Sequence, residues 1–427
     1  MLVPSAISCK FGMLKPSFLK RWLVFLFVLI AAMPIRLWFS LGPFKTCTIF
    51  DIAIVFIATG LFLFQRFRNI KVGHQVLFIA LCTPIAVAIL SLIWSECPLS
   101  TVRLVIYYAI AILGYLVALN IFYRCSSSFI AGCMASFVIT TLLFATLYWF
   151  RVPFALSLAE ISIGKLEGMD QYAYSVAFVR LNHPYLGLSN DVATTLSLYV
   201  IFFMGLTRVT SRLRYASITA LAALGVLLTL SRGVVTIMVG VAVVALMLRP
   251  SFRSIIATAL VAGLLIAPVY WFTEHAKNSG IDILGNRIAN FWEIGDRLDL
   301  FSFGLYLIEQ SPLLGYGGGR YMAEEYYGKN IVFHNTYLEQ LASYGIFFGT
   351  LTILALLSLP IYFFRWTSKY EKLNSIARFI GFSVVLYLFV CCVETSNEAA
   401  IPRLMFYFFL GSAIAYLRAI EWEGVQR

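Results

Sequence analysis

Apolar residues fill the chain in runs of about 17 to 22 positions separated by short polar breaks, the length at which a helix crosses a hydrocarbon layer about 30 Å thick. Such runs fall at about 22–41, 47–65, 75–94, 104–122, 128–149, 191–207, 215–230, 233–248, 254–272, 343–364, 376–394 and 401–418. They predict about twelve transmembrane helices, an all-α polytopic membrane protein. Two longer polar intervals interrupt them, at about 151–190 and 273–342. Within the second, Leu298, Phe301, Leu305 and Ile308 recur at helical spacing and predict an amphipathic helix from Arg297 to Glu309. Pro312 would end it, and Gly315-Tyr316-Gly317-Gly318-Gly319-Arg320 follows as a turn where backbone can approach a ligand. No repeat or linker divides the chain, so 1–427 reads as a single transmembrane domain whose two long intervals form a helical cap.

Composition excludes a soluble globular domain: of 427 residues, 61% are hydrophobic and 16% aromatic, against 12% charged. The net charge of +12 is spread in a way that carries topology. Arg66, Arg68 and Lys71, then Arg124, then Arg208, Arg212 and Arg214, then Arg249 and Arg253, then Arg365, Lys369, Lys372 and Arg378 fall in alternate loops. Those loops and both termini are expected on the cytoplasmic side, with the two long intervals outside. The charge then reads as topology and attraction to anionic lipid, and no separate basic domain points to nucleic acid. Lys10, Lys15, Lys20 and Arg21 precede the first apolar run without a small-residue cleavage site, the pattern of a retained signal anchor. Eight cysteines include no Cys-x-x-Cys pair, which argues against a disulfide framework or a zinc site.

Candidate chemistry gathers in or beside the outer intervals. His334, in Phe333-His334-Asn335-Thr336-Tyr337-Leu338-Glu339, stands where the long polar interval meets a span, and its unperturbed pKa lies nearest neutrality of any side chain. Asn335 or Thr336 can cap the following helix, and Thr336-x-x-Glu339 fits a capping box. The positive helix end would then face His334 and favour a neutral, basic imidazole. In Thr229-Leu230-Ser231-Arg232-Gly233, Ser231 can cap a helix with Arg232 in its first turn, a position whose free amides and guanidinium suit phosphate. The competing account is an interfacial arginine reaching to headgroups. A second arginine, Arg297 in Gly295-Asp296-Arg297, opens the amphipathic helix. Arg287 and Arg320 are further candidates for phosphate, and His183 and Asn190 for sugar, although a turn before a span explains the last two equally well. Glu394, Glu398 and Arg403 flank an outer turn, where mutual pairing is expected. His74 and His275 sit in no comparable motif.

Leu-Ser-Arg-Gly at 230–233, Gly-x-Arg at 295–297 with a helix running to Ser311-Pro312 and a glycine turn, then His334-Asn335 before a span with Gly345, resemble in order and spacing the O-antigen ligase and O-antigen polymerase superfamily. The resemblance covers mainly 225–350. It implies a glycosyltransferase type C-like fold in the bacterial plasma (inner) membrane, with the active site facing the periplasm. The donor would be an undecaprenyl-pyrophosphate-linked glycan. His334 would act as general base, and Arg232 and Arg297 would hold the departing pyrophosphate. Inversion at the anomeric carbon, no cofactor and no metal are expected, since no Asp-x-Asp occurs in the outer intervals. The acceptor would be lipid A core for a ligase, or a second lipid-linked repeat for a polymerase of O-antigen, capsule or exopolysaccharide. A transporter or flippase fits the span count alone, but the asymmetric loops and rim-placed polar groups do not resemble paired transporter halves.

Overall fold

The computed structural model describes residues 18–31, 36–37, 47–65, 74–136, 189–210, 213–229, 231, 234–235, 295–322, 325, 333–393 and 400–425. Among these the fold is helical: α1 (Phe18–Ala31), α2 (Ile49–Gln65), α3 (Gln75–Ser91), α4 (Pro98–Ser136), α5 (Ser189–Thr210), α6 (Leu213–Leu228), α7 (Gly295–Gln310), α8 (Thr336–Phe364), α9 (Glu371–Val393) and α10 (Ala400–Val425). Between α1 and α2, Arg36 pairs with Thr48 and Leu37 with Cys47 in a two-residue antiparallel ladder.

Pro98–Ile121 of α4, Thr336–Phe364 and Leu373–Cys392 are long and apolar enough to cross a membrane, and α3 and parts of α5 and α6 are shorter apolar helices. Polar side chains inside these helices return their hydrogen bonds to their own backbone: Thr59 to Val55 O, Thr83 to Ile79 O, Asn120 to Leu116 O and Ser412 to Phe408 O. An apolar surround offers them no water, and the preceding turn's carbonyl is the nearest acceptor. Large apolar side chains such as Phe56, Phe347, Leu354 and Phe389 are exposed on the bundle surface. That arrangement suits lipid as solvent, where an outward leucine or phenylalanine costs nothing.

The core forms where α4, α5, α9 and α10 meet. Tyr387 stacks on Phe406 with centroids 3.9 Å apart, and Phe202 on Phe409 at 4.7 Å. Gly411 of α10 lies directly against the Tyr115 backbone of α4, and any side chain there would separate the two helices.

Two elements depart from the sequence expectation. Separate spans at 104–122 and 128–149 are expected with a turn near Arg124, yet α4 runs unbroken for 39 residues, about 58 Å at 1.5 Å per residue. Tyr123-Arg124-Cys125-Ser126-Ser127-Ser128 contains neither proline nor glycine, and polarity alone does not stop a helix. The first span is expected over 22–41, yet the described helix covers Phe18–Ala31, and Arg36 and Leu37, inside the expected span, stand in the two-residue ladder. The expected spans at 233–248 and 254–272 lie almost wholly outside the described residues.

Candidate functional site

α8 is capped by Asn335, whose Oδ1 accepts from the backbone N–H groups of Tyr337 at 2.9 Å and Leu338 at 3.0 Å. Two of the amides that every helix start leaves unpaired are thereby satisfied. Thr336 is instead the first helical residue, so Leu338 holds the third position and the Thr336–Glu339 capping box is not the one used. This cap constrains the residue before it. His334 has φ 52, and among the described residues it is the one non-glycine with positive φ. A left-handed backbone costs a residue with a Cβ on the order of 1 kcal/mol, so neighbouring structure must hold it.

The hold comes from both sides of His334. Asn335 is locked into the cap, and Phe333 is buried with its ring edge-on to Phe303 of α7 at 5.9 Å between centroids. Leu307 of α7, Tyr316, Met322, Cys97 and Ala342 complete this small core. The helix forms where expected, but the expected apolar stripe is not the face it buries: α7 turns Phe303 and Leu307, with Ile308, towards α8 and leaves Leu298, Leu305 and Tyr306 exposed.

A second tie fixes the same region. α8 is interrupted at Gly345 (φ 68, ψ 179), which frees backbone groups that an intact helix would pair. The segment after α7 takes them up: Ile346 N–H donates to Pro312 O at 2.8 Å, Tyr316 N–H to Ala342 O at 3.1 Å and Gly317 N–H to Ser343 O at 2.7 Å. Gly315 (φ 66) lies so close to the Ser343 and Gly345 backbone that a Cβ there would stand 2.5 Å from the Ser343 carbonyl carbon. The glycine run, expected to leave room for a ligand, here lets one backbone dock into the break of another.

The start of α4 closes the arrangement. Glu325 accepts from the Ser100 N–H at 2.7 Å and the Leu99 N–H at 3.3 Å, placing an anion at a helix N-terminus. Gly318 N–H donates to Thr101 Oγ1 at 2.7 Å, and Trp94 Nε1–H to Leu314 O at 2.8 Å. Burial, with Glu325 and Glu96 nearby, pushes the Cys97 thiol up to about 12, so it stays protonated and is no nucleophile at neutral pH.

Beneath the cap, Thr336, Glu339, Gln340 and Ser343 are buried on α8. Gln340 Nε2 donates to the Tyr108 hydroxyl at 3.4 Å, and the guanidinium of Arg403, 0% exposed, sits 4.0 Å from the Tyr108 ring centroid. Arg103 lies 3.9 Å from the Tyr321 centroid. Sequence reasoning misses these two cations on aromatic faces as site candidates. It expects Arg403 in a charged turn with Glu394 and Glu398, which lie outside the described residues. Burial of Arg403 against an α4 ring depends on helix packing that no local pattern reports.

The expected site residues are placed unevenly. Ser231 is buried, and its carbonyl accepts from the Val235 N–H at 3.0 Å. Its hydroxyl has no hydrogen-bond partner among the described residues. Arg297 falls in the first turn of α7, two turns before Phe303; Arg320 falls in the 3-10 turn Gly319–Tyr321, and Asn190 in the first turn of α5. For these three the backbone is described and the side chains are not. Arg232, Arg287 and His183 lie outside the described residues. His334 and Arg297 are thus on two elements joined by the Phe333–Phe303 contact. Among the described residues no three of His, Cys, Asp and Glu gather as a ligand set for a metal.

Residues 217–354 match the protein family described as O-antigen ligase, a stretch that holds Ser231, Arg232, Arg287, Arg297, Arg320 and His334. No curated protein matches the chain.

Proposed function

We propose that this chain, placed by that match in the O-antigen ligase superfamily, is a glycosyltransferase that uses His334 as its base. The superfamily supports ligase-type or polymerase-type transfer of lipid-linked glycans by a membrane protein. The finer reading is ligation: glycan passes from an undecaprenyl-pyrophosphate donor to a hydroxyl of lipid A core, on the periplasmic face of the inner membrane, in a type C-like fold capped by the outer intervals. The observation that carries the role of His334 is its strained backbone, held between a satisfied helix cap and a buried phenylalanine. Strain maintained by its surroundings is a mark of a side chain kept in a required direction.

In this reaction the imidazole of His334 takes the proton of the acceptor hydroxyl. The hydroxyl oxygen bonds to the anomeric carbon as the bond from that carbon to the pyrophosphate oxygen breaks, inverting the carbon. The departing pyrophosphate gains negative charge, which Arg232 and Arg297 meet, with Ser231, Arg287 and Arg320 as further phosphate contacts and His183 and Asn190 on the sugars. Protons and charge balance without a metal, in keeping with the lack of Asp-x-Asp in the outer intervals. Arg365 and Lys369 in the connection after α8, and Arg378 early in α9, lie at the end opposite His334 and support the orientation.

Turnover of purified His334→Ala with lipid-linked donor tests the base. The expected loss is about 10²- to 10⁴-fold, and a rate near that of the unaltered protein would remove His334 from the mechanism. Offering core lipid alone, or a second lipid-linked repeat alone, distinguishes ligation from polymerisation.

A further inference from the structure

At the end of α8 opposite His334, a cavity of about 600 Å³ opens between the start of α3, the end of α8 and the end of α10. Its walls are unlike the rest of the bundle surface. Arg365 and Arg418 line it with Glu421, so two fixed cations face one carboxylate. His74 precedes α3, and its carbonyl takes the first helical bond from Phe78 at 2.9 Å, while its side chain makes no cap bond. The free amides of the first turn of a 17-residue helix therefore open beside the cavity, where Val76 and Leu77 form part of the wall.

Two buried nitrogens on this wall lack hydrogen-bond partners among the described residues: His74 Nδ1 and Trp366 Nε1. Trp366 is 9% exposed, and its indole nitrogen is covered by protein. Arg418 is held at the rim, 4.7 Å from the Trp366 centroid and 3.1 Å from Glu421 Oε2. The His74 ring is itself supported by Tyr362, at 4.7 Å between centroids.

Amides at a helix start and two guanidinium groups together ask for a compact anion with several acceptor oxygens, which is a phosphate. One net positive charge matches one phosphodiester. The flank decides its source: Val76 is 63% exposed, Ile79 64% and Ile361 46%, forming an apolar surface that continues from the cavity along the bundle. We infer that this cavity binds the phosphodiester headgroup of an anionic phospholipid, whose acyl chains lie over Val76, Ile79 and Ile361. The site stands on these residues alone and does not depend on the reaction proposed for His334.

The test uses the full chain in detergent, with short-chain dioctanoyl phosphatidylglycerol, dioctanoyl phosphatidylcholine and inorganic phosphate as probes, read by native mass spectrometry. Phosphatidylglycerol is expected to occupy one tight site that neither of the others displaces at equal concentration. The pair Arg365→Gln with Arg418→Gln should weaken it at least about tenfold. Glu421→Gln releases Arg418 and should strengthen it about threefold, a gain that misfolding cannot produce. Equal binding of phosphatidylcholine overturns the proposal, as does displacement by inorganic phosphate at equal concentration. Affinity unchanged in both charge variants overturns it too. Should the double variant fail to fold, Glu421→Gln decides: no gain in affinity rejects the site.

Discussion

The two ends of α8 solve opposite problems. At the His334 end, Asn335 satisfies the helix start, Pro312, Tyr316 and Gly317 satisfy the break at Gly345, and Glu325 satisfies the start of α4. At the other end, an arginine-lined cavity leaves the nitrogens of His74 and Trp366 without partners among the described residues. Backbone needs are met at the first end, so its strain can serve to aim one side chain; the second end keeps its donors in reserve for something that enters. Order in the first case comes from the chain itself, and in the second it awaits a ligand.

The sharpest way to break this contrast is to separate direction from strain at His334. Replacing it with glycine removes the imidazole and also relieves the left-handed backbone, whereas alanine removes the imidazole and keeps the strain. Both variants should lose about 10²- to 10⁴-fold in turnover with lipid-linked donor. His334→Gly should nevertheless be about 1 kcal/mol more stable than His334→Ala towards unfolding in detergent. A glycine variant that is less stable than the alanine one would show that the backbone at 334 is not strained, and the contrast between the two ends would lose its basis.

The next effect tests the tie between the glycine run and α8. A Cβ at Gly345 would collide with the Leu313 backbone, and φ 68 suits no side chain well. Gly345→Ala should cost about 2 to 3 kcal/mol and loosen the docking of α7, lowering turnover as well. Hydrogen exchange should then rise at Tyr316 and Gly317, whose amides reach into the break. Unchanged exchange at those two amides would mean that the run is held by other contacts.

Much of this end is legible in the sequence. The helical spacing over 297–309 and Pro312 locate α7 to within two residues, and His334 stands out by its place before a span. Asn335 is one of two expected caps, whereas the Ser231 hydroxyl, expected to cap a helix, bonds to nothing among the described residues. What stays hidden depends on partners distant along the chain. The break at Gly345 is visible only once Pro312 to Gly317 lie beside it, because the apolar pattern of α8 continues through that glycine without interruption. Burial of Arg403 over Tyr108 joins residues almost 300 positions apart. The opposite end is wholly illegible: His74 belongs to no motif, and its cavity is completed by Trp366, Arg418 and Glu421 from two other segments. α4 misleads for the converse reason, since a polar interval looks like a turn until helix propensity, which Ser and Arg tolerate, is given its weight.

A smaller effect measures the cap alone. Asn335→Ala removes the acceptor for two amides and should cost about 1 kcal/mol, with a comparable loss of order at His334. His74→Ala, at the start of α3 where no side-chain cap bond exists, should cost less. Equal costs at the two helix starts would erase the difference between them.

The smallest effect belongs to the far end, and its smallness is the point. Trp366→Phe deletes an N–H that has no partner among the described residues while keeping an aromatic ring for Tyr362 and Arg418. Removing an unsatisfied donor forfeits no hydrogen bond and relieves a desolvation cost, which offsets the poorer packing of the smaller ring. Stability in lipid-free detergent should therefore shift by less than about 0.5 kcal/mol in either direction. In the presence of dioctanoyl phosphatidylglycerol the same substitution should lower the unfolding midpoint relative to the unaltered chain, because Arg418, which rests on this ring at the rim of the cavity, is then less well placed for the ligand. A loss of stability that is equally large with and without the lipid would assign Trp366 to packing, and this end of α8 would prove as self-sufficient as the other.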